Sequence, residues 1–146
     1  MTTIFDAAAR TALAARVPGI TAASQRRWGS MNSAQALAHI ADALRMALGE
    51  LEVKGKWTPL RLTPVKQLII YLAPFPKGAP TAPELLARVP VDCGEECAAI
   101  VAMLERCGKP SQAFVPTHPA FGTMSRRDWG VLIYRHTDHH LRQFGA

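Results

Sequence analysis

The chain has 146 residues, of which 49% are hydrophobic and 19% are charged, and its formal net charge is +6. This composition is typical of a folded domain with a buried core and excludes an intrinsically disordered chain. No apolar run approaches the ~18 residues of a membrane span. The 17 basic residues are scattered and form no nucleic-acid-binding motif. We therefore expect neither a membrane nor a nucleic-acid partner.

The N-terminus lacks the basic and apolar layout of an export signal, which predicts a cytoplasmic protein. Three cysteines are present, and they cannot all pair within one chain: Cys93, Cys97 and Cys107. No CxxC motif accompanies them. We therefore predict free, reduced thiols that lie away from any metal site.

The first two predicted helices precede the middle of the chain. Residues 3–16 are rich in alanine and end before Pro18 and Gly19, which indicates a helix. Residues 32–51 carry leucine and isoleucine at spacings of three and four, the pattern of a helix with one apolar face. Asn32 or Ser33 can cap this second helix at its start.

Three further segments complete the predicted architecture. Residues 65–72 form a short helix after Thr63 and Pro64, although the run of Ile69, Ile70 and Tyr71 would also suit a strand. Four prolines then predict an extended loop of about fifteen residues: Pro74, Pro76, Pro80 and Pro83. A fourth helix spans residues 92–107.

The last helix runs from Ser125 to about Phe144, and Ser125 with Asp128 forms a variant capping box at its start. No segment alternates with a period of two for long enough to require a sheet. The sequence therefore predicts one all-α domain over residues 1–146, a helix bundle with long crossover loops.

Three of the five histidines, His136, His139 and His140, lie in the last predicted helix. At about 100° per residue, His136 and His140 lie near the centre of the apolar arc, and His139 lies at its edge. Buried imidazoles one turn apart either hydrogen-bond to a neighbouring helix or bind one metal ion. The spacing alone leaves both interpretations open.

His39, in the second helix, is the natural third ligand. It lies well around the helix from the leucine stripe, with three small residues between them: Ala36, Ala43 and Ala47. Small side chains would let another helix approach closely. From the residues alone, a plain surface or core position for His39 is equally open.

Two segments resemble the DinB/YfiT-like superfamily, and within it a branch of unknown function. They are WGSMNSAQALAHIADALRMALGE (residues 28–50) and HPAFGTMSRRDWGVLIYRHTDHHLRQFG (residues 118–145). In that superfamily a four-helix bundle carries one histidine on its second helix and an HxxxH pair on its last. The corresponding positions are His39, His136 and His140. The resemblance implies a DinB-like four-helix bundle with one divalent transition metal and open coordination positions.

Three nitrogen donors suit zinc, nickel, iron or copper, with zinc or nickel first. Gln35 and Asp42, one turn before and after His39, could orient its ring, and Gln143 could orient that of His140. A solvated helix face is an equal alternative for Asp42. We expect His118 to shape the turn before the last helix and not to bind metal.

Characterised members of the superfamily include metal-dependent transferases and isomerases that use low-molecular-weight thiols. The resemblance implies that a thiol cofactor is activated at the metal for transfer to a small-molecule electrophile. Two alternatives stay open: a metal-dependent hydrolase, and a non-enzymatic, stress-associated metal-binding module that could form a homodimer through its helices. A sizeable cavity that opens onto the three histidines would favour an enzyme, whereas a sealed site would favour a structural metal.

Overall fold

The computed structural model describes residues 1–77, 80–90 and 92–146. Gly78, Ala79 and Val91, which fall in the predicted proline-rich loop, lie outside the described residues. The described part of the chain contains five α-helices: α1 (Ala7–Arg16), α2 (Ser33–Ala47), α3 (Thr63–Gln67), α4 (Cys93–Gly108) and α5 (Arg126–Gln143). It is therefore mostly helical, as predicted. In these ranges no helix is long and apolar enough to cross a lipid bilayer.

The ends of α1 and α2 differ from the prediction for local reasons. α1 begins after Asp6, whose carboxylate accepts a hydrogen bond of 3.1 Å from the amide of Ala9, so the cap lies three residues later than Thr3. α2 ends at Ala47 because Gly49 adopts a left-handed conformation with a φ of +80°. The Gly49 amide donates to the carbonyl of Met46, which closes the helix.

Both helices that carry the histidine cluster begin with a capping box. Ser125 and Asp128 form the predicted box of α5. Asn32 caps α2 as predicted, and Gln35 completes that box by accepting a hydrogen bond of 2.9 Å from the Asn32 amide. Each box satisfies two amides that the first turn leaves free. The starts of α2 and α5, and with them the directions of their histidines, are thus fixed locally.

The third predicted helix is helical throughout, which decides against a strand there. α3 continues as a π-helical turn over Leu68–Leu72. Arg135 of α5 donates hydrogen bonds to the backbone carbonyls of Ile69, Ile70 and Ala73 at the end of this turn. A guanidinium thus satisfies carbonyls that the helix end leaves free, and it ties this segment to α5 next to His136.

The core lies between four of the helices. α2 packs against α4 and α5, and α1 packs against the same two helices. The largest fully buried side chains come from all four helices and from segments outside them: Trp129, Ile4, Leu13, Ile20, Leu37, Ile40, Ile70, Ile100, Leu104 and Leu141. Burying each such side chain contributes about 1.5–3 kcal/mol.

The prediction of an all-α chain missed one small element. Thr117–His118 (β1) pairs antiparallel with Gly122–Thr123 (β2) ahead of α5. Strands of two residues leave no alternating pattern in a sequence, which is why period-two analysis could not find them.

Candidate metal centre

The structure brings together the three predicted ligands. His39 lies in the middle of α2, and His136 and His140 lie one turn apart in α5. One ring nitrogen from each of the three lies within 4.8 Å of the others. The Nε2 atoms of His39 and His136 are 3.1 Å apart, and the three ring centroids are 4.8–5.0 Å apart. This cluster could hold a metal ion.

The spacing of one pair of these nitrogens fits a transition metal, and the third nitrogen lies within 4.8 Å of them. Nitrogens that bind one ion at about 2.0–2.1 Å, with angles between octahedral and tetrahedral, lie about 2.8–3.4 Å apart. The 3.1 Å between the Nε2 atoms of His39 and His136 falls within this range. The donor set also fits, because three imidazoles are ligands that zinc, nickel, iron and copper all accept.

The ring of His140 is oriented by Gln143. The Gln143 side chain donates from Nε2 to the backbone carbonyl of Trp28 at 2.8 Å, so its Oε1 atom faces His140. The Nδ1 atom of His140 lies 2.8 Å from that oxygen and must carry the proton, because an amide oxygen only accepts. The lone pair of His140 is therefore on Nε2. Sequence reasoning named Gln143 for this contact but missed Trp28.

The ring of His39 is oriented from the proline-rich segment. Its Nδ1 atom lies 3.4 Å from the carbonyl oxygen of Leu85, so Nδ1 donates and Nε2 carries the lone pair. His136 can then donate from its own Nε2 to His39 when no ion is bound. Without a metal, these two Nε2 atoms, 3.1 Å apart, are joined by a hydrogen bond; with a metal bound, the same two atoms would be its ligands.

The hydrogen bonds of Gln35 and Asp42 differ from those predicted for them. The Gln35 oxygen is engaged by the amide of Asn32 in the capping box. The Asp42 carboxylate is paired with Arg45 at 2.7 Å and with Arg88 at 3.0 Å. A capping residue satisfies its own helix end first, and a nearly buried carboxylate needs cationic partners. Burial lowers the pKa of His39, and the charge of Asp42 acts in the opposite direction.

Burial keeps the three imidazoles neutral. Desolvation lowers the pKa of His39, lowers that of His140 to about 3 and lowers that of His136 well below its usual value. The neighbouring histidines lower the pKa values of His136 and His140 further, because two positive rings would repel each other. Neutral imidazole is the form that binds a metal, so formation of the imidazolium cation does not compete with metal binding at neutral pH.

The two other histidines lie outside the cluster. His139 packs edge-on against Trp28 and Phe75, with centroid distances of 5.7 and 6.0 Å. His118 lies in β1, where its Nδ1 atom accepts hydrogen bonds from the amides of Ala120 and Phe121 at 3.0 and 3.3 Å. Burial lowers the pKa of His118 to about 4. His118 thus shapes the hairpin turn that leads to α5, as predicted.

The three cysteines are free, as predicted, and none belongs to the histidine cluster. Cys97 is buried, and its thiol lies 3.3 Å from the carbonyl of Val17. Burial raises the pKa of Cys107 to about 12, so its thiol stays protonated at neutral pH. A protonated, buried thiol is a poor nucleophile.

A cavity of about 830 Å³ opens onto the cluster, and all three histidines line it. Its walls are largely apolar, with contributions from Met31, Leu60, Ile69, Phe75, Leu85 and Leu132. Among the described residues that line it, Arg88 is the one arginine or lysine, and no carboxylate is included. Sequence reasoning foresaw neither this cavity nor the position of Arg88. The signal in the sequence that could have pointed to Arg88 is that it is the one arginine in the apolar, proline-rich stretch of residues 80–90.

A family model described as a protein of unknown function (DUF1569) matches residues 6–146. The match spans all five helices and all three clustered histidines. No curated protein and no solved structure matches the chain. The family model carries no link to the DinB/YfiT-like superfamily, so that resemblance stays a prediction.

Proposed function

The chain belongs to the DUF1569 family of proteins of unknown function, and we propose that it is a metal-dependent enzyme with His39, His136 and His140 as its ligands. The observation that carries this proposal is the cavity of about 830 Å³ that opens onto three neutral imidazoles. A purely structural metal is normally enclosed by four protein ligands, whereas a catalytic one keeps a position open. The described cluster offers three ligands and an open side.

We further propose that the reaction is the transfer of a low-molecular-weight thiol to a small electrophile. We also propose that α1, α2, α4 and α5 form a DinB-like bundle. The likeness of the two histidine-bearing segments to the DinB/YfiT-like superfamily supports both proposals. A bound zinc or nickel ion would lower the pKa of a coordinated thiol or water and so provide a nucleophile at neutral pH. The thiol sulfur forms the new bond to carbon, the leaving group departs with its electron pair, and the thiol proton passes to solvent.

The cavity walls indicate the kind of electrophile. Apolar side chains exclude water, and the charge of Arg88 is already paired with Asp42 and Glu96. A positively charged substrate body would find no carboxylate among the described lining residues. The substrate that fits best has an uncharged, apolar body and one reactive group that reaches the histidines.

The test has two stages. Metal analysis of the purified protein should find about one zinc or nickel ion per chain. The loaded protein is then assayed with cysteine, glutathione and a sugar thiol against an uncharged aromatic electrophile, 1-chloro-2,4-dinitrobenzene. Product should form faster than with His39→Ala. Ester hydrolysis without thiol transfer would favour a metal-dependent hydrolase, because water would then be the nucleophile. A fully loaded protein inactive in both assays would favour the non-enzymatic metal-binding module.

A further inference from the structure

Arg88 joins three separate parts of the chain. It lies in the segment of residues 80–90, and its Nε atom donates to both carboxylate oxygens of Asp42 in α2, at 3.0 and 3.2 Å. Its Nη1 and Nη2 atoms donate to the two carboxylate oxygens of Glu96 in α4, the second at 2.9 Å. Nη2 also lies 3.4 Å from the carbonyl of Ala38, beside His39. The two carboxylates are only 3% and 5% exposed, so this network is largely sheltered from solvent.

The same segment supplies the hydrogen-bond acceptor for His39. A turn of 3₁₀ helix at Pro83–Leu85 lies against α2, and the Leu85 carbonyl faces the Nδ1 atom of His39 at 3.4 Å. Leu85 is three residues before Arg88. A hydrogen bond of that length weakens quickly if the acceptor moves away. Its survival therefore depends on how firmly the segment is held against α2.

We propose that Arg88 is a positioning residue for the metal centre. Arg88 holds residues 80–90 against α2 and α4, and this keeps the Leu85 carbonyl within hydrogen-bond distance of Nδ1 of His39. With the proton held on Nδ1, the lone pair of Nε2 is directed at the ion. This inference rests on the proposed function, because it takes His39 as a ligand. Hydrogen bonds to the outer nitrogen of a metal-binding histidine fix its tautomer and ring orientation, and their loss typically weakens metal binding about 10–100-fold.

An arginine suits this task better than a lysine. Its planar fork offers five donors, enough to reach two carboxylates and a carbonyl at once, whereas a lysine ammonium is a single point of charge. Arg45 is a matched comparison, because it pairs with the same Asp42 oxygen from within α2. Arg45 neutralises Asp42 but holds no part of residues 80–90.

The experiment compares Arg88→Met combined with Glu96→Gln against Arg45→Met, using zinc(II) alone as the probe. The Glu96→Gln change avoids leaving a buried carboxylate that has lost its cation. We expect the zinc dissociation constant, measured by chelator competition, to rise about 10–100-fold in the Arg88 variant. Arg45→Met should change it by no more than about threefold, because a partly exposed pair within one helix contributes little.

The tautomer of His39 is the second readout. In chelator-treated protein, long-range ¹H–¹⁵N NMR should find the proton of His39 on Nδ1, and the Arg88 variant should show a mixture of both tautomers. Arg88→Lys, which keeps one charge pair, should fold and give an intermediate result. Unchanged zinc affinity and tautomer in a folded Arg88 variant would overturn the proposal. A wild type that binds neither zinc nor nickel would instead refute the proposed function, while the tautomer comparison would still test the role of Arg88.

Discussion

Gly29 offers a direct test of the path from Trp28 through Gln143 to His140. Its φ is +77°, and a Cβ atom added there would lie 2.6 Å from Nε2 of Gln143. The Gln143 side chain is only 4% exposed and makes hydrogen bonds at both ends of its amide. The Gly29→Ala substitution should therefore displace the Gln143 amide from the Trp28 carbonyl, from His140 or from both.

Two costs add up in the Gly29→Ala variant. Holding an alanine in the left-handed region costs about 1–2 kcal/mol. Breaking a buried hydrogen bond and leaving one partner unsatisfied costs about 1–3 kcal/mol. The free energy of unfolding should thus fall by about 2–5 kcal/mol, and Tm by about 2–4 °C for each kcal/mol in a chain of this size. Loss of the Gln143 contact should also weaken zinc binding about 10–100-fold.

Gly122→Ala is the matched control. Gly122 has a similar φ of +69°, but the three atoms nearest to an added Cβ all belong to the Arg61 side chain, at 3.4–3.7 Å. In this variant the free energy of unfolding should fall only by the cost of holding an alanine in the left-handed region, and the zinc affinity should stay at the wild-type value. Both variants are compared by thermal unfolding and by chelator competition. Equal zinc affinities for the Gly29 and Gly122 variants would refute the argument that Gln143 orients His140.

Three other outcomes are expected. Replacing His39, His136 or His140 with alanine should strip most of the metal measured by mass spectrometry, whereas His139→Ala should retain it; loss only in His139→Ala would reverse the assignment. The free energy of unfolding of the metal-free protein should fall as the pH drops from about 6.5 to 4. In this range His118 becomes protonated in the unfolded state but stays neutral in the folded state, where its pKa is about 4. His118→Asn should reduce that slope by up to about 1.4 kcal/mol per pH unit in denaturant unfolding, and an unchanged slope would contradict the burial of a neutral ring. Hydroxamates with a common metal-binding head should bind the zinc-loaded protein more tightly with phenyl or cyclohexyl tails than with an aminomethyl tail; the opposite order would refute the apolar cavity as the binding site.

Periodicity and capping rules predicted what depends on neighbours in the sequence. The helices, the Ser125 cap and the common direction of His136 and His140 follow from spacings of three and four residues. Gln143 follows from the same rule, because it lies one turn after His140. Such contacts are set by the geometry of a single helix, so one sequence is enough to find them.

Contacts between distant segments were beyond that reasoning. Leu85 meets His39 across 46 positions, and Trp28 meets Gln143 across 115. Both acceptors are backbone carbonyls, which every residue has, so no residue type marks them. For Gln35 and Asp42 the residue type did suggest a contact with His39, but other partners occupy these side chains. Gln35 accepts a hydrogen bond in the helix cap, and Asp42 pairs with Arg45 and Arg88.

The neutrality of the cluster has a consequence for charge balance. Three uncharged imidazoles would leave a divalent ion with its full double positive charge. Asp42 and Glu96 offset little of it, since their charges are already matched by Arg45 and Arg88. In apolar surroundings an unbalanced charge is costly, so an anion is favoured as the fourth ligand of the metal. Hydroxide, a thiolate or a carboxylate would each restore electroneutrality in part, and a neutral competitor such as imidazole should displace them poorly.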